Sequence, residues 1–522
     1  MYRSFNTPLV ELKQAARLLT ILFLLPIVLA AGCASLPTEY PKTESNALED
    51  YQSTALGKRW AAAEAEHPGE SGFALLRYGH NAFSTRIAMV DLAEKTLDLQ
   101  VYIWELDETG RILAERLIRA ADRGVRVRLL VDDMGLAAAD KGVASIDAHP
   151  NIEIRIFNPF AHRGNSTLDF ITDLDRVNHR MHNKIMIMDN GFAVVGGRNI
   201  GDHYFGVNQD TNFRDLDIAA IGPVVRDISK VFDHFWQGNW AVPIAALVDH
   251  PYTEADLKTV TAELQKTIAA GNYPYPTDED STALAEKITD AADIAIWAPG
   301  QVVWDDPSRL VETGEAGDMI EMLHRKIENV QESFTIESAY FVVRDGGVER
   351  IKELVDSGVK VRILTNSLVS NDVLAAHAGH AKYRKRLLEV GAEVYELRAD
   401  AGVIKKNWQG ESRAGLHTKA MIFDEQTLFI GSFNLDPRSA NINTEAGLYV
   451  ESPELAAQLL AYMDEGILPE HSYRLKLDDD GDLVWITEDD GVEVRYDKDP
   501  LSTFGQRFMS GFIGILPMES QL

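Results

Sequence analysis

Two stretches of this chain repeat one another almost in register, and no other feature of the sequence constrains the fold as tightly. In the first, residues 96–103 read as a strand, 111–123 as a helix that stops at Gly124, and 125–131 as the next strand. In the second, 334–341 is the strand, 348–357 the helix, Gly358 its stop and 359–365 the following strand. Alternating β-branched residues support the strands, and a glycine after the last apolar turn supports each helix end. Strands that alternate with helices predict βαβ units. Each half is therefore expected to be an α/β domain, a mixed, largely parallel sheet flanked by helices. The expected domains are residues 71–250 and 291–470. A connecting segment at 251–290 carries a helix over 255–270, and residues 33–70 form a tether with a short amphipathic helix. After the second domain, 471–522 read as a β-meander with turns at Asp480-Gly481 and Asp490-Gly491, then an apolar tail at 512–517.

Each half carries the pattern His-x-Lys-x-x-x-x-Asp: His182, Lys184 and Asp189, then His417, Lys419 and Asp424. From Gly124 to His182 is 58 residues and from Gly358 to His417 is 59, so the pattern falls at the same place in each repeat. One copy on a surface strand arises readily by chance. Two copies in register, each with the same sequel, do not. Fourteen residues after each histidine comes a glycine that leads to an asparagine, in Gly196-Gly197-Arg198-Asn199 and Gly431-Ser432-Phe433-Asn434. An acid follows in each half, Asp215 and Glu445, eight residues before Pro223 and Pro453.

Residues i and i+2 of a strand share a face, so the histidine and lysine of each pattern are expected to point the same way. The aspartate has opposite parity and sits at a turn signal, Asp189-Asn190-Gly191 in the first copy. A supporting role at the strand end suits it better than contact with substrate. Asn199 and Asn434 are expected to return to the site and donate to an anion. Two histidines, two lysines and two asparagines around one point suit a phosphodiester, with the cations and amides stabilising the non-bridging oxygens. One neutral imidazole attacks phosphorus, and the other, protonated, donates to the leaving alkoxide and then activates the acceptor. Asp215 and Glu445 are expected to hold the Nδ1 protons of the imidazoles. Metal chemistry fits poorly, because there is no cysteine pair and a lysine stands beside each histidine. The run Asp478-Asp479-Asp480 fails calcium-loop spacing, with Lys476 and Thr487 at the required ends. His179, His203 and His234 lack the pattern and read as structural or surface residues. Tyr102 and Tyr340 hold equivalent repeat positions and either line the cleft or pack in the core.

Composition then excludes some partners. The net charge is -29; residues 1–32 hold Arg3, Lys13, Arg17 and Glu11, so without them the balance falls to -31. Nucleic acid binding needs a basic footprint, which this chain lacks. The single cysteine, Cys33, follows Arg3, Lys13 and Arg17, an apolar run over 18–31, and the small residues Ala30-Ala31-Gly32. That order reads as a secretory leader over 1–32. It resembles the lipobox of bacterial lipoproteins, which implies acylation of Cys33 and a membrane-anchored protein of the cell envelope facing the periplasm. Ala34, in place of aspartate, leans towards the outer membrane.

The stretches 178–184, 196–205 and 432–439 resemble the paired motifs of the phospholipase D superfamily, and most closely bacterial cardiolipin synthases of the C type. The resemblance runs from about residue 70 to the end. It implies two phospholipase D-like domains with the active site at their interface, and a catalytic set of His182, Lys184, Asp189, His417, Lys419 and Asp424. Asn199, Asn434, Ser432, Asp215 and Glu445 would bind phosphate or support that set. By the same analogy His182 is the nucleophile and His417 the acid, with no metal or cofactor. The implied reaction is phosphatidyl transfer between phospholipids, phosphatidylglycerol and phosphatidylethanolamine being the candidates, at a membrane surface. Hydrolytic phospholipase D activity is the main rival. A nuclease is disfavoured by charge, and a non-enzymatic membrane scaffold by the intact motifs. No protein partner is legible.

Overall fold

The computed structural model describes residues 35–134, 136, 139–271, 273, 286–310, 317–402, 412–516 and 519–521. Cys33 and the apolar run before it lie outside the described residues, as does most of 272–285.

Two large mixed sheets carry the molecule. The first has nine strands, in the order Ile296–Ala298, Ser71–Leu76, Asp217–Ile221, Phe192–Gly196, Ile185–Met188, Thr96–Val101, Arg126–Asp132, Ile152–Phe157 and Ala241–Pro243. The second has ten. Six of them repeat the first sheet's order: Ala446–Glu451, Thr427–Gly431, Lys419–Phe423, Ser333–Ser338, Lys360–Asn366 and Glu393–Leu397. Gly124 and Gly358 both take φ of 96°, a left-handed stop that lets each helix turn straight into the next strand. The sequence reading of the repeat is therefore borne out.

Parallel pairing is less extensive than expected. In each sheet it joins only three strands, Thr96–Val101 through Ile152–Phe157 and Ser333–Ser338 through Glu393–Leu397. The strands after each motif return through tight hairpins, and a hairpin joins only antiparallel strands.

Three boundaries also differ from the sequence reading. Ile296–Ala298 pairs with the first sheet and Gly300–Trp304 with the second, so the chain changes sheets at Pro299 rather than at residue 291. The meander Ser472–Tyr496 extends the second sheet from Glu393–Leu397 and covers an edge that would otherwise be open. Residues 35–50 form a strap along the first domain rather than a loose tether. Lys42 Nζ donates to the carbonyls of Gln237 and Gly238, Arg128 to Ser45 O at 2.7 Å, and Asn190 to Leu48 O at 2.8 Å. The strap lacks apolar periodicity and is held by backbone carbonyls, so sequence pattern could not reveal it. The expected helix behind it spans Ala55–Glu66 and buries Trp60 completely, 5.8 Å from the Phe192 ring.

One apolar cluster joins the two halves. The helices Pro223–Gln237 and Pro453–Gly466 contribute Ile228, Phe232, Phe235, Leu455 and Leu459, and the sheets contribute Ile187, Val195, Ile422, Ile430 and Leu448. Burying a side chain of this size stabilises by about 1.5–3 kcal/mol. Opening this interface would expose many at once, so the halves act as one rigid support for whatever lies between them.

Candidate active site

Both motifs lie where the chain crosses from one half to the other. Met181 forms a parallel bridge with Thr444, and His182 N donates to Thr444 O at 2.9 Å. In the other half, Arg413–Leu416 runs parallel to Thr211–Arg214, and His417 N donates to Arg214 O at 2.8 Å. Each histidine is thus clamped to the residue just before the other half's acid. That registration delivers the carboxylates: Glu445 Oε2 lies 2.9 Å from His182 Nδ1, and Asp215 Oδ2 lies 2.7 Å from His417 Nδ1. The acids hold the Nδ1 positions as expected, but each serves the opposite domain's histidine. With Nδ1 held as a donor, Nε2 is left with its lone pair or its second proton for chemistry.

The histidines sit in extended links just outside the strands Ile185–Met188 and Lys419–Phe423 rather than within them. Each lysine folds back, and its Nζ donates to the carbonyl of its own motif's histidine at 2.5 Å. Aromatic rings pack against both imidazoles. Tyr102 meets His182 at 4.9 Å between centroids, whereas Tyr204 and Phe213 flank His417 at 5.1 and 5.3 Å. Tyr340, the repeat equivalent of Tyr102, instead donates its hydroxyl to Asp372.

The surrounding charges are unequal. Burial lowers His182 well below the usual histidine value, and Lys184, Lys419, His417 and Arg438 push it the same way. Burial and Lys419 lower His417 too, but Asp215 and Asp372 pull it back up. Burial pushes the Glu445 carboxyl up to about 7 despite Lys184 and the Ser432 hydroxyl. Burial acts the same way on Asp215, but the charges of His417, Lys419 and Arg198 outweigh it and hold that carboxyl below its ordinary value. Both lysines are lowered, chiefly by burial, so an arriving anion restores the charge that desolvation opposes. His182 is therefore set up as the neutral imidazole, and His417 faces a firmly ionised partner that favours the imidazolium.

The remaining expected residues divide by role. Asp189 accepts from the backbone N–H groups of Glu94, Lys95 and Thr96, and Asp424 from those of Gln331, Glu332 and Ser333. Both take φ of 52° at the hairpin turn, so they belong to the support and not to the reacting set. Asn199 also departs from expectation. Its Oδ1 accepts from Ile103 N and its Nδ2 donates to the Tyr204 hydroxyl, so it braces the ring beside His417. Ser432 donates to Glu445 and accepts from Ala446 N, again a support role. Asn434 keeps a buried Oδ1 without a partner among the described residues; that atom only accepts, so its Nδ2 is the group that can donate to a phosphate oxygen. His179, His203 and His234 bond Ile442 O, Thr211 O and Asp306, as structural histidines do.

Three contributors had no role in the sequence reading. Asp132 accepts from Met181 N at 2.9 Å and from Arg180, pinning the residue before His182. Its position at the carboxyl end of a parallel strand was the available signal. Arg438 and Asp372 act on the imidazoles only through tertiary folding. Among the described residues no group of three or more His, Cys, Asp or Glu side chains has a geometry suited to a metal ion.

Known proteins share this chain's sequence pattern and fold. A family model described as "Cardiolipin synthase, PLD-like domain" matches residues 87–236 and 323–467. The chain is 38% identical to cardiolipin synthase C of Escherichia coli over 461 residues, 87% of this chain and 97% of that protein. It is 30% identical to an uncharacterized protein of Helicobacter pylori over 497 residues, 93% of this chain and 96% of that one. The crystal structure of phosphatidylserine synthase from Haemophilus influenzae shares the fold with a TM-score of 0.54 at 15% identity, covering 80% of this chain and 92% of that one. With both halves matched by the family model and both motifs built into one interface, the chain belongs to the cardiolipin synthase family of phospholipase D-like proteins.

Proposed function

We propose that this chain makes cardiolipin by phosphatidyl transfer through a phosphohistidine at His182. The observation that carries the reading is the reciprocal pairing of each imidazole with the other half's carboxylate, which sets two histidines with unlike partners at one interface. His182 Nε2 attacks the donor phosphorus, and the bond to the headgroup oxygen breaks as His417 Nε2 gives that oxygen its proton. Glycerol leaves from phosphatidylglycerol, or ethanolamine from phosphatidylethanolamine. The glycerol hydroxyl of a second phosphatidylglycerol then gives its proton to His417 and attacks phosphorus, breaking the P–N bond. Lys184, Lys419 and Asn434 hold the non-bridging oxygens. Water in the acceptor's place gives phosphatidic acid, the hydrolytic alternative.

Purified protein incubated with labelled phosphatidylglycerol, with and without phosphatidylethanolamine, followed by lipid separation, tests this. Labelled cardiolipin supports transfer, whereas phosphatidic acid alone makes the protein a hydrolase. For localisation, Cys33 acylation after removal of residues 1–32 supports an envelope lipoprotein facing the periplasm. Intact mass of detergent-extracted protein decides it, and an unmodified Cys33 refutes it.

A further inference from the structure

We infer that two exposed apolar patches, one from each half, seat the mouth of the catalytic cleft on a phospholipid bilayer; the inference rests on the reading that the substrate is a membrane lipid. The first patch is the helix Phe504–Ile515. It packs on Leu374–Ala381, with the Ser510 hydroxyl 3.1 Å from His377 Nδ1. Its outer face leaves Phe504, Phe508, Phe512 and Ile515 exposed, at 77%, 60%, 51% and 83%. Spacings of four, four and three residues put these on one stripe. The second patch is Phe170, Ile171 and Leu174 on the short helices Ser166–Thr172 and Leu174–Val177, with Ile171 75% exposed. Monomeric proteins rarely leave such clusters facing water without a use.

Both patches are tied to the cleft. Leu174 lies four residues before Asn178 and eight before His182. Asn178 is held by Arg438, whose charge reaches His182, and its amide donates to Gln521 Oε1 at 2.7 Å, which brings the tail after the long helix back to the first half. On the other side, the helix Leu374–Ala381 begins two residues after Asp372, whose charge reaches His417 and Lys419.

Two further observations favour a bilayer over a protein as the occupant. The helix Phe504–Ile515 contains Arg507 and no acidic residue, in a chain whose net charge is -29, so its outer face suits anionic headgroups. The strap also runs the right way. Leu48 is fixed at Asn190, the hairpin end remote from His182, whereas Lys42 is fixed at Gln237 and Gly238. Trp240 next to them accepts from Asn158 N, and the Asn158 amide donates to the carbonyls of Arg176 and His179. The strap's contact at Lys42 thereby lies towards the end of the molecule that carries the second patch.

The test uses the full chain on vesicles of phosphatidylglycerol and phosphatidylethanolamine doped with a photoactivatable phospholipid, with adducts mapped by peptide mass. Adducts on peptides covering 504–515 and 166–177 are expected. Adducts absent from both, with the N-terminal region labelled, overturn the proposal. In parallel, Phe508→Asp with Phe512→Asp is expected to lower turnover on vesicles relative to detergent-dispersed lipid by about tenfold or more. An unchanged ratio overturns it, as does a patch variant that dissociates a dimer while lipid labelling stays the same. Labelling at both patches by a chain that transfers no phosphatidyl group defeats the functional reading and leaves the docking face standing. Transfer without labelling does the reverse.

Discussion

The two halves share six strands in the same order, yet they build unlike surroundings for their histidines. His182 meets Glu445, a carboxyl pushed up to about 7, and its charged neighbours Lys184, Lys419 and Arg438 all disfavour its protonation. His417 meets Asp215, a carboxyl held low, with Asp372 also in its favour. The difference is built from small changes. Asp215 is a methylene shorter than Glu445, and Gly197 clears the space it fills: a Cβ there would stand 2.2 Å from Asp215 Oδ1. The equivalent Ser432 fits beside Glu445 and donates to it. A duplicated fold thus gives its two histidines unlike electrostatic surroundings without any change of backbone plan, because each half supplies the other's carboxylate.

The largest effects should come from the imidazoles. On the proposed mechanism His182→Ala removes the nucleophile, and steady-state cardiolipin formation is expected to fall by about 10⁴-fold or more. His417→Ala should cost nearly as much on phosphatidylglycerol, but much less on a phosphodiester with a good leaving group, which needs little acid assistance in the first step. Equal losses on both substrates for both variants would erase the distinction between the halves.

The carboxylates sharpen it further. Asp215→Asn deprives the imidazolium of its counter-charge and should lower kcat/KM by about 10³-fold, again less with the good leaving group. Glu445→Gln should cost about 10²-fold or less and change the pH profile. In the wild type, Glu445 ionises at about 7, so kcat/KM should rise through that pH as the carboxylate strengthens the hold on the His182 Nδ1 proton. The variant should lose that limb. Its stability should shift in the opposite sense. A carboxyl raised in the folded state contributes stability that is full below its unfolded value and is lost as pH rises through about 7. Glu445→Gln should therefore melt higher than the wild type at about pH 8 and not at about pH 5. The same limb in the variant would assign it to another group.

Gly197→Ser probes the space around Asp215 and should lower activity by about tenfold, since the new Cβ must displace that carboxylate. Ser432→Ala, which removes only the donor to Glu445, should cost less. The smallest effects on chemistry belong to the motif aspartates. Asp189→Ala strands three backbone donors that are part-buried or buried and should destabilise by about 1–3 kcal/mol. Asp424→Ala, whose donors are mostly exposed, should cost less, and neither should change turnover per folded molecule. Melting temperature and active-site titration measure the two quantities separately.

Much of this was legible in the sequence because it is local and repeated. The strand, helix and glycine stop of each half, and the placing of both motifs, follow from periodicity and count. The turn at Asp189 was announced by Asp-Asn-Gly. What stayed hidden depends on pairing between distant segments. Nothing in the neighbourhood of Asp215 says that it faces His417 rather than His182; that follows from Thr211–Arg214 lying beside Arg413–Leu416. Asn199 was assigned to phosphate because an amide suits an anion, and Tyr204 takes its donor instead. The strap over 35–50 has no apolar pattern, since Arg128 and Arg155 donate to its carbonyls and its own Lys42 donates to the carbonyl of Gln237.

The account's central claim is that His182 is the attacking imidazole and His417 the proton carrier. Rapid quench of the wild type and both histidine variants with a phosphorus-labelled, activated phosphodiester, followed by peptide mass analysis, tests it most directly. The account predicts label on the peptide carrying residue 182 in the wild type, longer-lived label there in His417→Ala, and none in His182→Ala. Label on His417 in the His182→Ala protein, or equal labelling of both histidines in the wild type, would contradict it.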